Sequence, residues 1–291
     1  MLIRIKITGD AQQVSGNIKG ESDMSQLTFN MQATGYDPQN ALSLARLSEL
    51  AYENEPAIYA QLTQWSFPKQ YFFNHAGSGT QGFVAANEQH LVIVFRGTEM
   101  TKIKDLITDA KIKLIPGPFG QVHRGFEAAL DSVWAEISQK IAEFQHNQQA
   151  IWITGHSLGG ALATLVASQL LADNKLFHQL CNFGCPRVGD VEFASNMNQL
   201  AQGRCFRVRN NNDIVTRIPV VGLFFYRYRH IEKLIYFDSD GNRWDSIGFW
   251  GLLKEHLSGH INAIGEFGVD DLDDHKIKTY LDVLQRDNMV Q

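Results

Sequence analysis

Apolar and polar positions along this chain switch between a period of two and a period near three and a half. Leu91-Val92-Ile93-Val94-Phe95 is an unbroken, mostly β-branched run. Such a run predicts a strand covered on both faces, the condition of strands inside an α/β sheet. Further strands are predicted at 71–73, 81–86, 150–154, 179–184, 205–209 and 232–237. Between them the pattern becomes helical. From Asp37-Pro38 to Tyr52 the residues Leu44, Leu47, Leu50 and Ala51 share one face, with Asp37 as N-cap and Pro38 in the first turn. Helices are also predicted near 57–64, at 126–144, at 191–201 and at 275–285. Residues 100–110 form a short amphipathic pattern. Two short strands at 2–7 and 14–19 suggest a hairpin, and 20–36 is polar and irregular. Strands and helices alternate without a linker, an internal repeat or a low-complexity tract. The pattern predicts one domain over 1–291, a mostly parallel sheet wrapped by helices, with 1–36 as an N-terminal extension.

One junction stands apart. Ala150-Ile151-Trp152-Ile153-Thr154 leads into Gly155-His156-Ser157-Leu158-Gly159-Gly160 and then into the apolar run 161–167. This is a strand, a turn of small residues, then a buried helix, and it carries the G-x-S-x-G pattern of a nucleophile elbow. A serine on so sharp a turn presses its neighbours two positions away against each other, so both must be glycine. The turn also sets the serine at a helix N-terminus, where free amides favour a developing negative charge. Between Glu143 and Asp173 there is no Asp, Glu, Lys or Arg, a length that could span a bilayer. The glycines and serine at its middle favour a buried strand followed by a buried helix instead.

Composition narrows the partners. The 291 residues are 44% hydrophobic and 20% charged, with a net charge of −5. That balance is globular and argues against nucleic acid and against a polybasic membrane anchor. Cys181, Cys185 and Cys205 make no disulfide framework, and Cys181-x-x-x-Cys185 lacks a second ligand pair at zinc spacing, so no metal or other cofactor is expected. The first residues alternate charged and apolar side chains and lack the apolar core of a signal peptide. Together with the cysteines this leaves the compartment open between the cytoplasm and export by another route.

Serine chemistry requires a base to take the hydroxyl proton and an acid to orient the base. On an α/β sheet of this kind the order along the chain is Ser, acid, His. Asp213 lies just past the strand at 205–209 and fits the acid. Asp190 reads as the N-cap of the next helix, and Asp238, Asp240 and Asp245 read as turn residues. His156 sits inside the elbow and His230 precedes the last strand. The candidates for the base are His256, His260 and His275. His275 follows the whole sheet and opens the last helix, which favours it, with His260 next. The oxyanion needs two donors. The Leu158 amide supplies one, and Thr98, just after the strand at 91–95, offers its amide and hydroxyl as the other.

Five stretches now carry a resemblance. Phe95-Arg96-Gly97-Thr98, Val122-His123-Arg124-Gly125-Phe126, Gly155 to Ala163, Phe183 to Asp190 and Asn212 to Pro219 resemble, in order, the motifs of the fungal-type (class 3) lipases. With the final histidine they cover about residues 70–286. The resemblance implies an α/β-hydrolase fold with a helical lid, acting on carboxylic esters, mostly of acylglycerols, without a cofactor. It places the nucleophile on Ser157, the acid on Asp213, the base on His275 and the oxyanion donors on Thr98 and Leu158. Tyr228-Arg229-His230 resembles a structural feature of the family. Residues 1–36 match none of its motifs.

The resemblance places the lid at 99–113. There Met100, Ile103, Leu106 and Ile107 share one face and Lys102, Lys104, Asp105 and Asp109 the other, an apolar underside with a wet top that could open onto lipid. The stretches 220–225, with Phe224, and 244–253, with Trp244, Phe249 and Trp250, are unusually apolar for connections and are candidates for an acyl-chain pocket. The expected function is triacylglycerol lipase, at an oil–water or membrane interface and without a transmembrane segment. Phospholipase A1 or a feruloyl-type esterase is the alternative, and a catalytically dead binding protein the remote one.

Overall fold

A computed structural model describes residues 26–98, 113–146, 149–219, 227–231, 233–245 and 273–289. The order of elements is α1 (Pro38–Leu50), α2 (Glu55–Gln64), β1 (Lys69–His75), β2 (Thr80–Ala86), β3 (His90–Phe95), β4 (Leu114–Gly117) and β5 (Gly120–His123). There follow α3 (Arg124–Phe144), β6 (Ala150–His156), α4 (Leu158–Ala172), β7 (Gln179–Phe183), β8 (Gly189–Asp190), α5 (Val191–Ala201) and β9 (Cys205–Asn210). A 3-10 turn (Val215–Arg217), β10 (Tyr228–Arg229), β11 (Lys233–Phe237), β12 (Arg243–Trp244) and α6 (Ile277–Met289) complete it. The predicted hairpin at 2–7 and 14–19, the predicted lid helix with Met100, Ile103, Leu106 and Ile107, and Phe224, Phe249, Trp250, His256 and His260 all lie outside the described residues.

The main sheet runs β1-β2-β3-β6-β7-β9-β11-β12. Its centre, β3-β6-β7-β9-β11, is parallel, and its edges are antiparallel. The apolar runs predicted as doubly covered are just that. Leu91, Ile93, Phe95, Ile151 and Ile153 face a core with Phe126, Leu130 and Val133 of α3 and Leu162, Leu165 and Val166 of α4. Val92, Val94, Trp152, Cys181, Phe183, Phe206 and Val208 face the other way, onto Leu44 and Leu47 of α1 and Leu281 and Leu284 of α6. Alternate residues of one strand therefore feed two cores, so neither alternate set can be polar. Helix α4 is buried almost all round, which accounts for the uncharged run 144–172.

Asp37 caps α1 as expected, accepting from the Asn40 amide. Asp190 caps α5, accepting from the Phe193 amide. The last helix starts at Ile277, so His275 stands in the turn before it. Part of the irregular stretch 20–36 turns out to be packed. Leu27 and Phe29 lie against the α1 side of the sheet, and Phe29 stacks on Trp152 at 4.5 Å. The indole N–H of that tryptophan donates to His90 Nδ1 at 3.2 Å.

The sequence pattern misses a second, four-stranded sheet, β10-β8-β5-β4. Its strands have two to four residues, and Gly117, Gly120 and Gly189 interrupt them, so no period of two develops. The sheet connects the start of α3 with the start of α5.

Candidate active site

The elbow has the geometry its glycines imply. Ser157 lies between β6 and α4 with φ 59° and ψ −129°, a left-handed conformation costly for a side chain. A Cβ on Gly155 would stand 2.3 Å from the carbonyl carbon and oxygen of Gly159, and one on Gly159 would stand 2.3 Å from the Phe95 carbonyl oxygen. Both obstacles are backbone and cannot rotate away. Gly155→Ala and Gly159→Ala are each expected to lower unfolding free energy by about 2–4 kcal/mol in urea titrations. A loss under about 0.5 kcal/mol would contradict the close approach. The Ser157 amide donates to the Phe183 carbonyl at 2.8 Å, which holds the turn against β7.

Asp213 and His275 meet below this turn. Both side chains have no exposed surface, and His275 Nδ1 lies 3.0 and 2.9 Å from the two Asp213 carboxylate oxygens. The acid is fixed by its own loop: the Val215 amide donates to Oδ1 at 2.9 Å, and the Thr216 hydroxyl donates to the Asp213 carbonyl at 2.8 Å. His230 Nε2 in turn meets the Thr216 carbonyl at 2.7 Å. Burial, with Arg207 and Arg187 nearby, pushes His230 well below the ordinary histidine range, so it is neutral and its N–H donates. The histidine before the last strand is a prop for the acid loop, in line with the expected structural part.

Asp274 stitches the two loops together. Its carboxylate accepts from Asn211 Nδ2 at 3.0 Å and the Asn212 amide at 3.1 Å, while its carbonyl accepts from Asn210 Nδ2 at 3.1 Å. Tyr280, one turn into α6, donates its hydroxyl to Asp213 Oδ2 at 2.5 Å and accepts from the Asn210 amide at 3.2 Å. Burial pushes the Asp213 carboxyl up. The His275 ring, its hydrogen bond and the Tyr280 hydroxyl outweigh burial and hold the group below its ordinary value. Room for the pair comes from Gly184, at φ +59°. A Cβ there would stand 2.7 Å from Asp213 Oδ2 and 2.8 Å from His275 Nδ1.

The far nitrogen of His275, Nε2, is buried and has no hydrogen-bond partner among the described residues. With Nδ1 committed to the carboxylate, the neutral ring offers a lone pair at Nε2, the atom a general base needs. On the other side of Ser157, a Cβ on Gly97 would come within 3.1 Å of the Ser157 Cβ. The loop leading to Thr98 therefore passes directly beside the serine. Leu158 begins α4, so its amide has no acceptor within the helix. The structure thus brings Ser157, Asp213, His275, Leu158 and the Thr98 loop into one neighbourhood. Sequence reasoning misses Gly184, Asp274 and the part played by Tyr280. The signal that could have found Tyr280 is its place in the first turn of α6, directly after the turn that holds His275.

His156 is the other surprise. It is buried, as a structural residue should be, yet its ring lies 4.6 Å from that of His275. Its Nε2 is 2.6 Å from the His275 carbonyl, and its Nδ1 is 2.7 Å from the Tyr52 hydroxyl. Burial, reinforced by His275, pushes it down to about 3. The ring therefore stays neutral when folded but gains a proton below about pH 6.5 when unfolded. Its contribution to stability is full above that value and falls as the pH drops toward about 3. In an NMR titration the His156 ring carbons should keep neutral-imidazole shifts down to pH 4.5, and a midpoint above 5 would contradict the assignment.

Cys181, Cys185 and Cys205 are buried thiols. Among the described residues no group of three His, Cys, Asp or Glu side chains could hold a metal ion, and no helix is long and apolar enough to cross a membrane.

Comparison with known proteins finds similarity to lipases. A family described as Lipase (class 3) matches residues 92–223. A phospholipase A1-II of Oryza sativa subsp. japonica is 26% identical over 260 residues, covering 75% of this chain and 64% of that protein. A triacylglycerol lipase of Ricinus communis is 28% identical over 255 residues, covering 66% of this chain and 48% of that protein. The chain thus spans about half to two thirds of the length of these relatives. Among solved structures, a triacylglyceride lipase of Rhizomucor miehei superposes with a TM-score of 0.59 at 23% identity, covering 70% of this chain and 82% of that one. That likeness concerns the fold. The elbow, the order of the motifs and the family match lead to one conclusion: residues 92–223 carry a class 3 lipase domain, set on a fold shared with the fungal lipases.

Proposed function

We propose that this chain is a serine carboxylic-ester hydrolase, and that its substrates are acylglycerols met at a lipid–water interface. The observation that carries the reading is the buried Asp213–His275 pair with an uncommitted Nε2, set beside a serine on a strained turn. In this reading Ser157 Oγ attacks the ester carbonyl while His275 Nε2 takes its proton. The Leu158 amide and the Thr98 amide and hydroxyl bind the oxyanion. His275 returns the proton to the departing alkoxide, leaving an acyl-enzyme and a free alcohol. A water then attacks the acyl group, its proton passing to His275 and on to Ser157 as the acid departs. Asp213 holds Nδ1–H in place and stabilises the imidazolium formed in both steps. One domain carries the reaction. The lid expected at 99–113 and the acyl-chain pocket expected around Phe224 and Trp250 belong to the same reading; Met100, Ile103, Leu106, Ile107, Phe224 and Trp250 fall outside the described residues.

Phospholipase A1 activity is the second reading, because the phospholipase A1-II of Oryza sativa matches over three quarters of the chain. One titrimetric comparison separates them: fatty acid released from a long-chain triacylglycerol emulsion and from phosphatidylcholine vesicles. We expect the emulsion to be hydrolysed at least about ten times faster, a difference of only ~1.4 kcal/mol in barrier. The reverse order would favour the phospholipase. Release from neither, with p-nitrophenyl butyrate still cleaved, would overturn the lipid assignment and leave an esterase.

A further inference from the structure

Tyr52 and His156 are not part of the proposed reaction, yet they touch the loops that carry Gly97 and His275. Tyr52 follows the C-terminal end of α1, outside the residues matched by the family, 92–223. Its hydroxyl lies 2.7 Å from His156 Nδ1, and the opposite ring nitrogen, Nε2, lies 2.6 Å from the backbone carbonyl of His275. Gly97 packs against the same tyrosine hydroxyl. The approach is so close that a Cβ on Gly97 would stand 2.1 Å from it and 2.6 Å from the His156 carbonyl oxygen.

Donor chemistry gives this contact series one direction. The His275 carbonyl can only accept, so His156 Nε2 carries the proton. A neutral ring then offers only a lone pair at Nδ1, so the Tyr52 hydroxyl must donate to it. The tyrosine oxygen packs against Gly97. Each nitrogen of the His156 ring thus has one partner and one role. A methyl, amide or carboxylate in place of either ring would leave a buried polar atom unpaired.

We propose that Tyr52 and His156 are positioning residues, which tether the oxyanion loop at Gly97 to the backbone of His275 through the nucleophile elbow. The tether runs from Gly97, packed on the Tyr52 hydroxyl, through the His156 ring to the His275 carbonyl. It spaces the loop that leads to Thr98 and the loop that carries the base at fixed distances from Ser157, because His156 is its immediate neighbour in the chain. The burial that keeps His156 neutral keeps this donor order unchanged through the working pH range. The packing of Tyr52 against Arg96, whose guanidinium sits 5.6 Å from the ring centroid, holds the ring in place when only its oxygen is removed.

This inference rests on the serine-hydrolase reading, and the experiment separates the two. Wild-type protein is treated with diethyl p-nitrophenyl phosphate, and the adduct is located by mass spectrometry. Steady-state kinetics with p-nitrophenyl butyrate are then measured for Tyr52→Phe, His156→Gln and the double variant, with thermal melting of each. Tyr52→Phe keeps the ring and is the decisive variant. We expect its kcat to fall roughly 5- to 30-fold, the scale of one lost buried hydrogen bond, with KM within about two-fold and melting lowered by no more than a few degrees. In the double variant the loss should match that of the larger single one, because both changes cut the same tether. Wild-type kcat in Tyr52→Phe, or a loss seen only in KM or in melting temperature, would overturn the tether. So would losses that multiply in the double variant. Absence of a phosphoryl adduct on Ser157 in the wild type would instead defeat the serine-hydrolase reading itself.

Discussion

Ser157→Ala is expected to lower kcat for p-nitrophenyl butyrate about a million-fold, the largest effect of any single substitution in this chain. Removal of the nucleophile from a Ser–His–acid group costs about as much as removal of the entire group. What remains is the ~10³–10⁴-fold that oxyanion donors and binding supply without covalent chemistry. The fold should survive. Alanine is smaller than serine, the strained φ of 59° is borne equally by both, and the Ser157 amide that donates to Phe183 belongs to the backbone. Melting temperature should therefore change little, and binding of a non-hydrolysable ester analogue should persist. A residual rate within ten-fold of wild type would remove Ser157 from the reaction, whatever the geometry around it.

The site and the fold differ in how far the sequence reveals them, for physical reasons. Ser157 is legible because the elbow forces glycine at two fixed offsets, and the structure shows both glycines meeting backbone at 2.3 Å. Asp213 and His275 are legible by order along the chain, since each must leave the C-terminal edge of the sheet after the strand before it. The doubly covered strands are legible because burial on both faces leaves no polar position in 91–95.

What stays hidden depends on contacts across long separations. Nothing local in Tyr52 or His156 says that residues 104 apart share a hydrogen bond. Gly184 resembles any turn glycine until the Asp213 carboxylate and the His275 ring are placed within 3 Å of where its side chain would be. Asp274 looks like one more acid in Asp273-Asp274-His275, although the side chain of its neighbour Asp273 makes an exposed ion pair with Lys276 at 2.6 Å. The small sheet of β4, β5, β8 and β10 escapes because its strands are too short to show a period.

The second large effect is expected at Asp213. Asp213→Asn should reduce kcat about ten-thousand-fold while leaving KM within a few-fold. The reason lies in who faces each oxygen. Oδ1 accepts from the Val215 amide, so an asparagine must keep its own carbonyl there. Its NH₂ group then takes the place of Oδ2, which faces the Tyr280 hydroxyl at 2.5 Å and is the nearer of the two oxygens to His275 Nδ1, at 2.9 Å against 3.0 Å. The hydroxyl can rotate and accept. His275 Nδ1 can accept only by giving up its proton, which moves the ring hydrogen to Nε2 and removes the lone pair that serves Ser157. The charge that stabilises the imidazolium is lost as well.

The same substitution leaves a mark on stability that inactivity alone would not. Folding holds Asp213 below its ordinary 3.8, so near pH 4 the unfolded chain binds more protons than the folded one. The carboxylate's contribution is then present above about pH 4 and lost as the pH falls through the folded value. The gap in melting temperature between wild type and Asp213→Asn should therefore be widest near neutrality and shrink below pH 4. A gap constant with pH would mean that the carboxylate is not held by His275 and Tyr280 in the folded protein. A kcat within a hundred-fold of wild type would mean that the base keeps its tautomer without Asp213.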